Sequence, residues 1–469
     1  MRIPARAAKY AAPATNAGLL LLGAAYIQYC RDGVVEYHHF IHGYSMDVLL
    51  QILLYVAGFL LVVFGTTNRW TLRIVLGVAL ATRLVGIFAP AFLSSDVYRY
   101  VWDGKVQAAG INPYRYIPAD PHLTFLRDAQ IYSRINRKNY AHTIYPPGAQ
   151  ILFLGVTRVS ATAAGMKTAM VGFEALAIWA LLEILKLFGR RREEVLLYAW
   201  HPLCVWEIGS SGHIDAVAIG LLSVAALALL RGKIMRSAGW ITAAAMVKMY
   251  PLLLLLALGR RISMRMIALC VGIIVAGYAL YSSVGAGVLG FMGGYVQEEG
   301  LKTGARYFLL TWAHRYLRLP DWPALYVAFC ALALAAVAGW GLLRERQPKQ
   351  MLGVALTITV LATIFFSPHY PWYFLWIVPF AVMLRYLPAI ALTLEAAYWY
   401  GTSLALPGER MFRMDEYMYA IFLAAIAVDL LVRWWAGRQS PSPPAERLRP
   451  SARAGMPGER AAAVGGFYE

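Results

Sequence analysis

Acidic, basic and phenolic residues recur at helical spacing in one polar stretch, SSDVYRYVWDGKVQAAGINPYRYIPADP, which begins at Ser94. If Asp96 to Lys105 is helical, residues three, four and seven apart share a face, so Asp96, Arg99, Tyr100 and Asp103 stand together. Ser94 or Ser95 caps such a helix, and Asp96 falls in its first turn, where the helix dipole favours a carboxylate. Pro113, Pro118 and Pro121 then oppose any continuation. The hydrophilic run ends with HTIYPPG, at about Pro147, and both flanks are almost continuously apolar. A positioned carboxylate suits general-base work, and a nearby guanidinium suits an anionic group. On an ordinary surface helix Arg99 would simply pair with one aspartate, a weak and common arrangement. On a helix hanging from a membrane span, carboxylates are costly and tend to be functional.

The elements that position this stretch are membrane segments. The chain has 469 residues, 60% hydrophobic and 14% charged, against about 25% charged for soluble domains. Apolar segments lie at about 17–30, 46–65, 72–93, 149–163, 165–188, 195–208, 214–230, 237–258, 262–283, 323–343, 351–367, 372–384, 387–404 and 416–433. The net charge of +18 comes from bases clustered in short loops, which fits cytoplasmic retention of positive loops and not nucleic-acid binding. Arg2, Arg6 and Lys9 place the N-terminus in the cytoplasm, and its first apolar run reads as an uncleaved span. Alternation then puts the Ser94 stretch outside. Segments 149–163 and 237–258 do not fit alternation. The first follows Pro146-Pro147 and the second is interrupted at Lys248-Met-Tyr-Pro251, so both read as re-entrant or broken helices lining a cavity. The four cysteines have neither metal spacing nor a disulfide framework. The tail 436–469, rich in Pro, Ser, Ala, Gly and Arg, reads as disordered and cytoplasmic, leaving 1–435 as the membrane domain with its external loop at 94–147.

The same topology gathers other polar groups outside. Glu207, His213 and Asp215 come from WEIGSSGHID, Glu298, Glu299, Lys302 and Arg306 from a later loop, and His369 from SPHYPWYF, while Lys248 approaches from a helix break. Glu36, His38, His39 and His42 do not share one helical face, so no metal is expected, and no nucleotide-binding motif is present. These parts fit sugar transfer from a lipid phosphate carrier. The acceptor hydroxyl needs one base, and the departing phosphate monoester needs Arg, Lys or His beside it. No metal or other cofactor is obligatory for a single phosphate. Asp96 is the expected base, with Arg99, Lys248 and His369 around the phosphate.

SDVYRYVWDG, GINPYRY, TIYPPGAQ, SSGHID, KMYPLLLLLAL and SPHYPWYFLW together resemble the polyprenol-phosphate-sugar-dependent glycosyltransferases of the C-type (GT-C) membrane fold, over roughly residues 70–385. The bacterial mannosyltransferases of that group are the most similar. The resemblance implies an all-α polytopic fold, a GT-C-like bundle of about 12–13 membrane segments with a helical external catalytic loop. It implies an inverting hexosyl transfer, of mannose, from a polyprenyl-phosphate sugar donor to a lipid or glycan acceptor. It also implies a bacterial inner membrane location with the site facing the periplasm. The family's catalytic Asp matches Asp96, with Asp103 in support. Its donor-phosphate His matches His369, and Lys248, His213 and Asp215 fall at matching positions; Arg99 and Tyr100 are expected to bind substrate from their place on the Asp96 face of the helix. The rivals are a secondary transporter with a polar vestibule, a scaffold without chemistry, and a diphosphate-lipid-dependent polymerase or ligase.

Overall fold

The computed structural model describes residues 5–36, 41–344, 347–403 and 408–439. His38, His39 and the tail beyond 439 lie outside the described residues. Residues 436–439 belong to the helix Gly408–Gln439. Among the described residues the chain is helical and has no β-strand, as an all-α polytopic membrane protein should be. Among the described residues, six helices are long and apolar enough to cross a membrane, or up to seven if the bent pair Met264–Ala279 and Ser282–Glu298 forms one span. The stretch 17–30 lies in the 32-residue helix Ala5–Glu36, and the remaining apolar stretches form helices of 17 residues or fewer. The chain divides after Ile426 into two compact units, and the site described below belongs to the first.

Helix α1 (Ala5–Glu36) packs against both α2 (Ile41–Phe64) and α3 (Arg69–Phe88), and α3 delivers the chain to the polar loop. Asn68 starts α3 with a capping box. Its side chain accepts from the Trp70 and Thr71 amides at 2.8 and 3.3 Å, and Thr71 Oγ1 accepts the Asn68 N–H at 3.0 Å. The far end of α3 is held by α6 (Ala163–Leu187), once α4 (Asp96–Ala108) and α5 (Pro147–Val159) have intervened. Lys167 of α6 donates to the Gly86 and Ala89 carbonyls at 3.0 and 2.7 Å, satisfying acceptors that a helix C-terminus leaves open. One turn earlier, Arg83 makes a bidentate pair with Glu174 of α6 and donates to the Ala199 carbonyl. Gly86 lies against the π-helical turn Val205–Ser210, where a Cβ would sit 2.5 Å from the Gly209 carbonyl carbon. The point at which α3 gives way to the loop is therefore fixed from two sides.

Of the two segments that defied alternation, one is short and the other is broken. Helix α5 has 13 residues, about 20 Å at 1.5 Å per residue, short of the roughly 30 Å hydrocarbon core. The other stops at Ala245 and resumes as the 3₁₀ helix Tyr250–Arg261, whose first turn contains Pro251. The two meet: the Ala149 amide donates to the Met246 carbonyl at 3.2 Å. Helix Met292–Glu298 closes over the loop through Gly290, whose φ of +56° and ψ of −136° suit only glycine. A Cβ at Gly290 would stand 1.8 Å from the Thr143 carbonyl oxygen. Gly290→Ala should thus cost about 1–3 kcal/mol from backbone strain alone. A lowered thermal midpoint in detergent, with helix content kept, is the expected measurement.

Candidate active site

Four pieces of chain converge on a cavity of about 380 Å³. They are the loop and first turn of α4, the helix break at Val247–Tyr250, helix Met292–Glu298 and the turn holding Tyr370, Trp372 and Tyr373. Asp96 is the only acid among its lining residues, and Arg99, Arg137 and Lys248 are its cations.

Asp96 opens α4 as expected, although the cap differs in detail. Ser95 occupies the cap position without a side-chain cap bond, and Ser94 Oγ accepts the Asp96 N–H at 3.3 Å. The carboxylate is half-buried. Asn136 Nδ2 donates to Oδ1 at 3.0 Å and Tyr145 OH to Oδ2 at 3.3 Å. Burial first, then the neighbouring Asp96 carboxylate, push the Tyr145 phenol well above its ordinary range, so it stays a neutral donor.

Each cation is braced by a carboxylate that does not itself line the cavity. Arg99 Nε pairs with buried Asp103 at 2.8 Å and Nη1 donates to the Ala141 carbonyl at 3.1 Å. Gln150 of α5 holds the other oxygen of Asp103 at 3.1 Å. Lys248 Nζ lies 2.7 Å from Asp215, which is fully buried and also accepts the Tyr250 hydroxyl at 2.8 Å. Arg137 Nε pairs with Glu298 at 2.7 Å, and its backbone has a φ of +52°, a conformation uncommon outside glycine that clusters at functional sites. Such bracing orients positive charge toward an anion before it arrives.

The sequence-predicted residues therefore part company. Asp96, Arg99 and Lys248 line the cavity; Asp103 and Asp215 stand behind Arg99 and Lys248 as their partners. Tyr100 is buried on Phe153, ring centroids 4.7 Å apart, and does not line the cavity. His213 is also buried, 3.2 Å from Glu207 and stacked at 4.1 Å on Trp372, which does line the cavity. His369 is not brought to Asp96. It lines a separate cavity of about 30 Å³ with Trp399 and Asp415, while its neighbours Tyr370 and Trp372 face the Asp96 cavity. Asn136, Arg137 and His142, which the spacing argument did not select, do line it. Among these, His142 opens the HTIYPPG run, and that run was its one signal. Beyond Tyr250, Tyr295 and Tyr373 lies a second cavity of about 200 Å³, with Leu253, Leu301, Phe366 and Trp376 in its walls. Among the described residues no cluster of three or more His, Cys, Asp or Glu could hold a metal ion.

No curated protein and no solved structure matches the chain. The sequence family described as alpha-(1->6)-mannopyranosyltransferase, N-terminal domain, matches residues 12–264. That range is more than half of the chain and contains Asp96, Asn136, Arg137, Tyr145, Asp215 and Lys248. Matched over more than half its length, the chain belongs to the alpha-(1->6)-mannopyranosyltransferase family, a family of membrane mannosyltransferases.

Proposed function

We propose that the chain transfers mannose, with inversion, from a polyprenyl-phosphate donor to an acceptor hydroxyl on the external face of the membrane. The observation that carries this reading is the pairing of one unbraced carboxylate, Asp96, with cations held from behind in a single cavity. Its volume lies within the roughly 300–1,000 Å³ of small-ligand pockets. In the reaction the acceptor oxygen bonds to the sugar's anomeric carbon as that carbon's bond to the phosphate oxygen breaks. The acceptor proton passes to Asp96, and the electron pair leaves on the polyprenyl phosphate, whose growing charge Lys248 and Arg137 stabilise. One base with no separate nucleophile supports inversion. The phosphate role goes to Arg137 rather than to His369, because Arg137 lines the cavity and His369 does not. The largely apolar cavity beyond the three tyrosines, with the Glu299–Arg306 ion pair in its wall, offers room for the first isoprene units.

The charge distribution supports the external reading. Arg191 donates to the Val62 and Gly65 carbonyls and Arg190 to those of Val382 and Met383, so the basic loops gather where α3 begins. Asp96 lies past the other end of α3, which has 20 residues and so spans about 30 Å. Bases at one end and the cavity at the other accord with a cytoplasmic basic face.

Purified protein in nanodiscs should consume polyprenyl-phosphate mannose and extend an alkyl α-mannoside. Consumption of a nucleotide or diphosphate-lipid sugar alone, or solute transport without glycosidic product, would overturn the reading. Arg137→Ala should raise the donor KM about tenfold or more with a smaller fall in kcat, since Arg137 already meets the phosphate in the ground state and adds less as its charge grows. Steady-state kinetics across donor concentration check this.

A further inference from the structure

We propose that Arg99 grips the acceptor beside Asp96, and that Gln150 and Gln107 are the positioning residues that hold its guanidinium there. This rests on the reading of Asp96 as the base. Arg99, Asp103 and Gln107 follow one another at four-residue spacing on α4, so they form one stripe along the helix. Asp96 stands one turn before Arg99 on the same face, about 5–6 Å away between Cβ atoms. A base and a guanidinium that close meet neighbouring atoms of one molecule, and the molecule that the base meets is the acceptor. Arg137 and Lys248, which take the phosphate, reach the cavity from other parts of the chain.

The stripe is fastened to α5 by hydrogen bonds whose direction is forced. A carboxylate only accepts, so the Gln150 atom 3.1 Å from Asp103 Oδ2 is the amide nitrogen. Gln150 Oε1 then accepts from Gln107 Nε2 at 2.9 Å, and Gln107 Oε1 accepts the Tyr281 hydroxyl at 2.8 Å. Every donor in this ladder points toward Asp103. Bonds aligned in one direction strengthen one another away from water, and Gln150 has no exposed surface. Thr143 Oγ1 takes the second Gln150 N–H at 2.8 Å. Gly104 makes the reach short enough: a Cβ there would stand 2.5 Å from the Phe153 carbonyl oxygen of α5.

The consequence appears at the guanidinium. Arg83 and Glu174, deep in the bundle, make two parallel bonds, the arrangement arginine and carboxylate favour. Arg99 and Asp103 make one, from Nε to Oδ1 at 2.8 Å, because Oδ2 is turned to Gln150. The Ala141 carbonyl takes a proton of Nη1. The other three of the five guanidinium N–H groups have no acceptor among the described residues, and Arg99 lines the cavity. Those donors suit the hydroxyl oxygens of a sugar held with its reacting hydroxyl at Asp96. Without Gln150, Oδ2 is released to the guanidinium, and the donors turn from the cavity to Asp103.

The test is the split between the two KM values in nanodiscs, with a short-chain prenyl-phosphate mannose as donor and an alkyl α-mannoside as acceptor. Gln150→Met should raise the acceptor KM about tenfold, the scale of one hydrogen bond to a charged group, and leave the donor KM in place. Tyr281→Phe, at the far end of the ladder, should act the same way by less. A rise in the donor KM instead, or a fall in kcat with both KM values unmoved, would overturn the assignment. A double-mutant cycle separates positioning from packing. In a background of Arg99→Met with Asp103→Asn, which strands no charge, Gln150→Met should add nothing to the acceptor KM. A further rise there would mean that Gln150 does not act through Arg99. Should turnover in that background be too low, tryptophan fluorescence titrated with the alkyl α-mannoside reads the same binding. The two readings fail separately: a parent protein that makes no product from the donor removes the transfer reading, whereas an active parent whose acceptor KM is unmoved by Gln150→Met removes the positioning alone.

Discussion

Asp96→Asn is expected to lower mannosyl transfer by about 10²–10⁴-fold, the range for a positioned general base, while leaving the protein folded and inserted. The two halves of that expectation have different physical origins. Asn keeps the volume of Asp and an acceptor oxygen, so either the Asn136 or the Tyr145 hydrogen bond survives. What stability loses is a carboxylate in the first turn of α4, about 0.3–1 kcal/mol. Asp96 is half-buried and has no ion pair of its own, so no stranded charge is left behind. The acceptor proton, by contrast, has no other carboxylate in the cavity to go to. Transfer assays beside thermal unfolding separate the two halves. Activity within tenfold of the parent protein would remove Asp96 from the role, and loss of folded protein would show that α4 depends on it structurally.

The reasons this carboxylate was legible explain what was not. Helix α4 could be read because its information is local: a charge in the first turn, polar residues three, four and seven apart, prolines beyond. The half-helix α5 and the break at Lys248 were announced in the same way, by Pro146-Pro147 and Pro251. Arg137 had no such signal. Its partner Glu298 is 161 residues away, and the turn that aims it rests on an uncommon backbone conformation at a non-glycine residue. Asn136 lies 40 residues from the carboxylate it holds. His369 shows a different limit. The SPHYPWYF run places aromatic and basic residues at the right end of the bundle, but Ser367 has a φ of +40° and Pro371–Phe374 is a 3₁₀ turn. In that geometry no period of two or 3.6 tells which side chains face inward, and Tyr370 and Trp372 do so while His369 does not.

The braced cations carry a second large expected effect, and Lys248 shows it most sharply. Lys248→Met should abolish transfer and destabilise the fold together. Asp215 has no exposed surface, and its ion pair with Lys248 spans 2.7 Å. Removing one partner of a buried pair strands the other charge, at a cost of about 3–5 kcal/mol. The Tyr250 hydroxyl still donates to Asp215 and relieves only part of this. Transfer falls independently, because a preorganised donor to developing negative charge is worth about 10²–10³ in rate. Asp215→Asn alone should be milder, since Lys248 is partly exposed in the cavity and keeps access to water and to the donor phosphate. The double variant, Lys248→Met with Asp215→Asn, distinguishes bracing from chemistry. It removes the stranded charge and should recover most of the lost stability, yet transfer should stay as low as in Lys248→Met. Thermal unfolding in detergent and initial transfer rates on the same three proteins complete the cycle. Recovery of both quantities in the double variant would mean that Lys248 serves only to neutralise Asp215. Recovery of neither would mean that the pair holds the helix break open through contacts other than its charge.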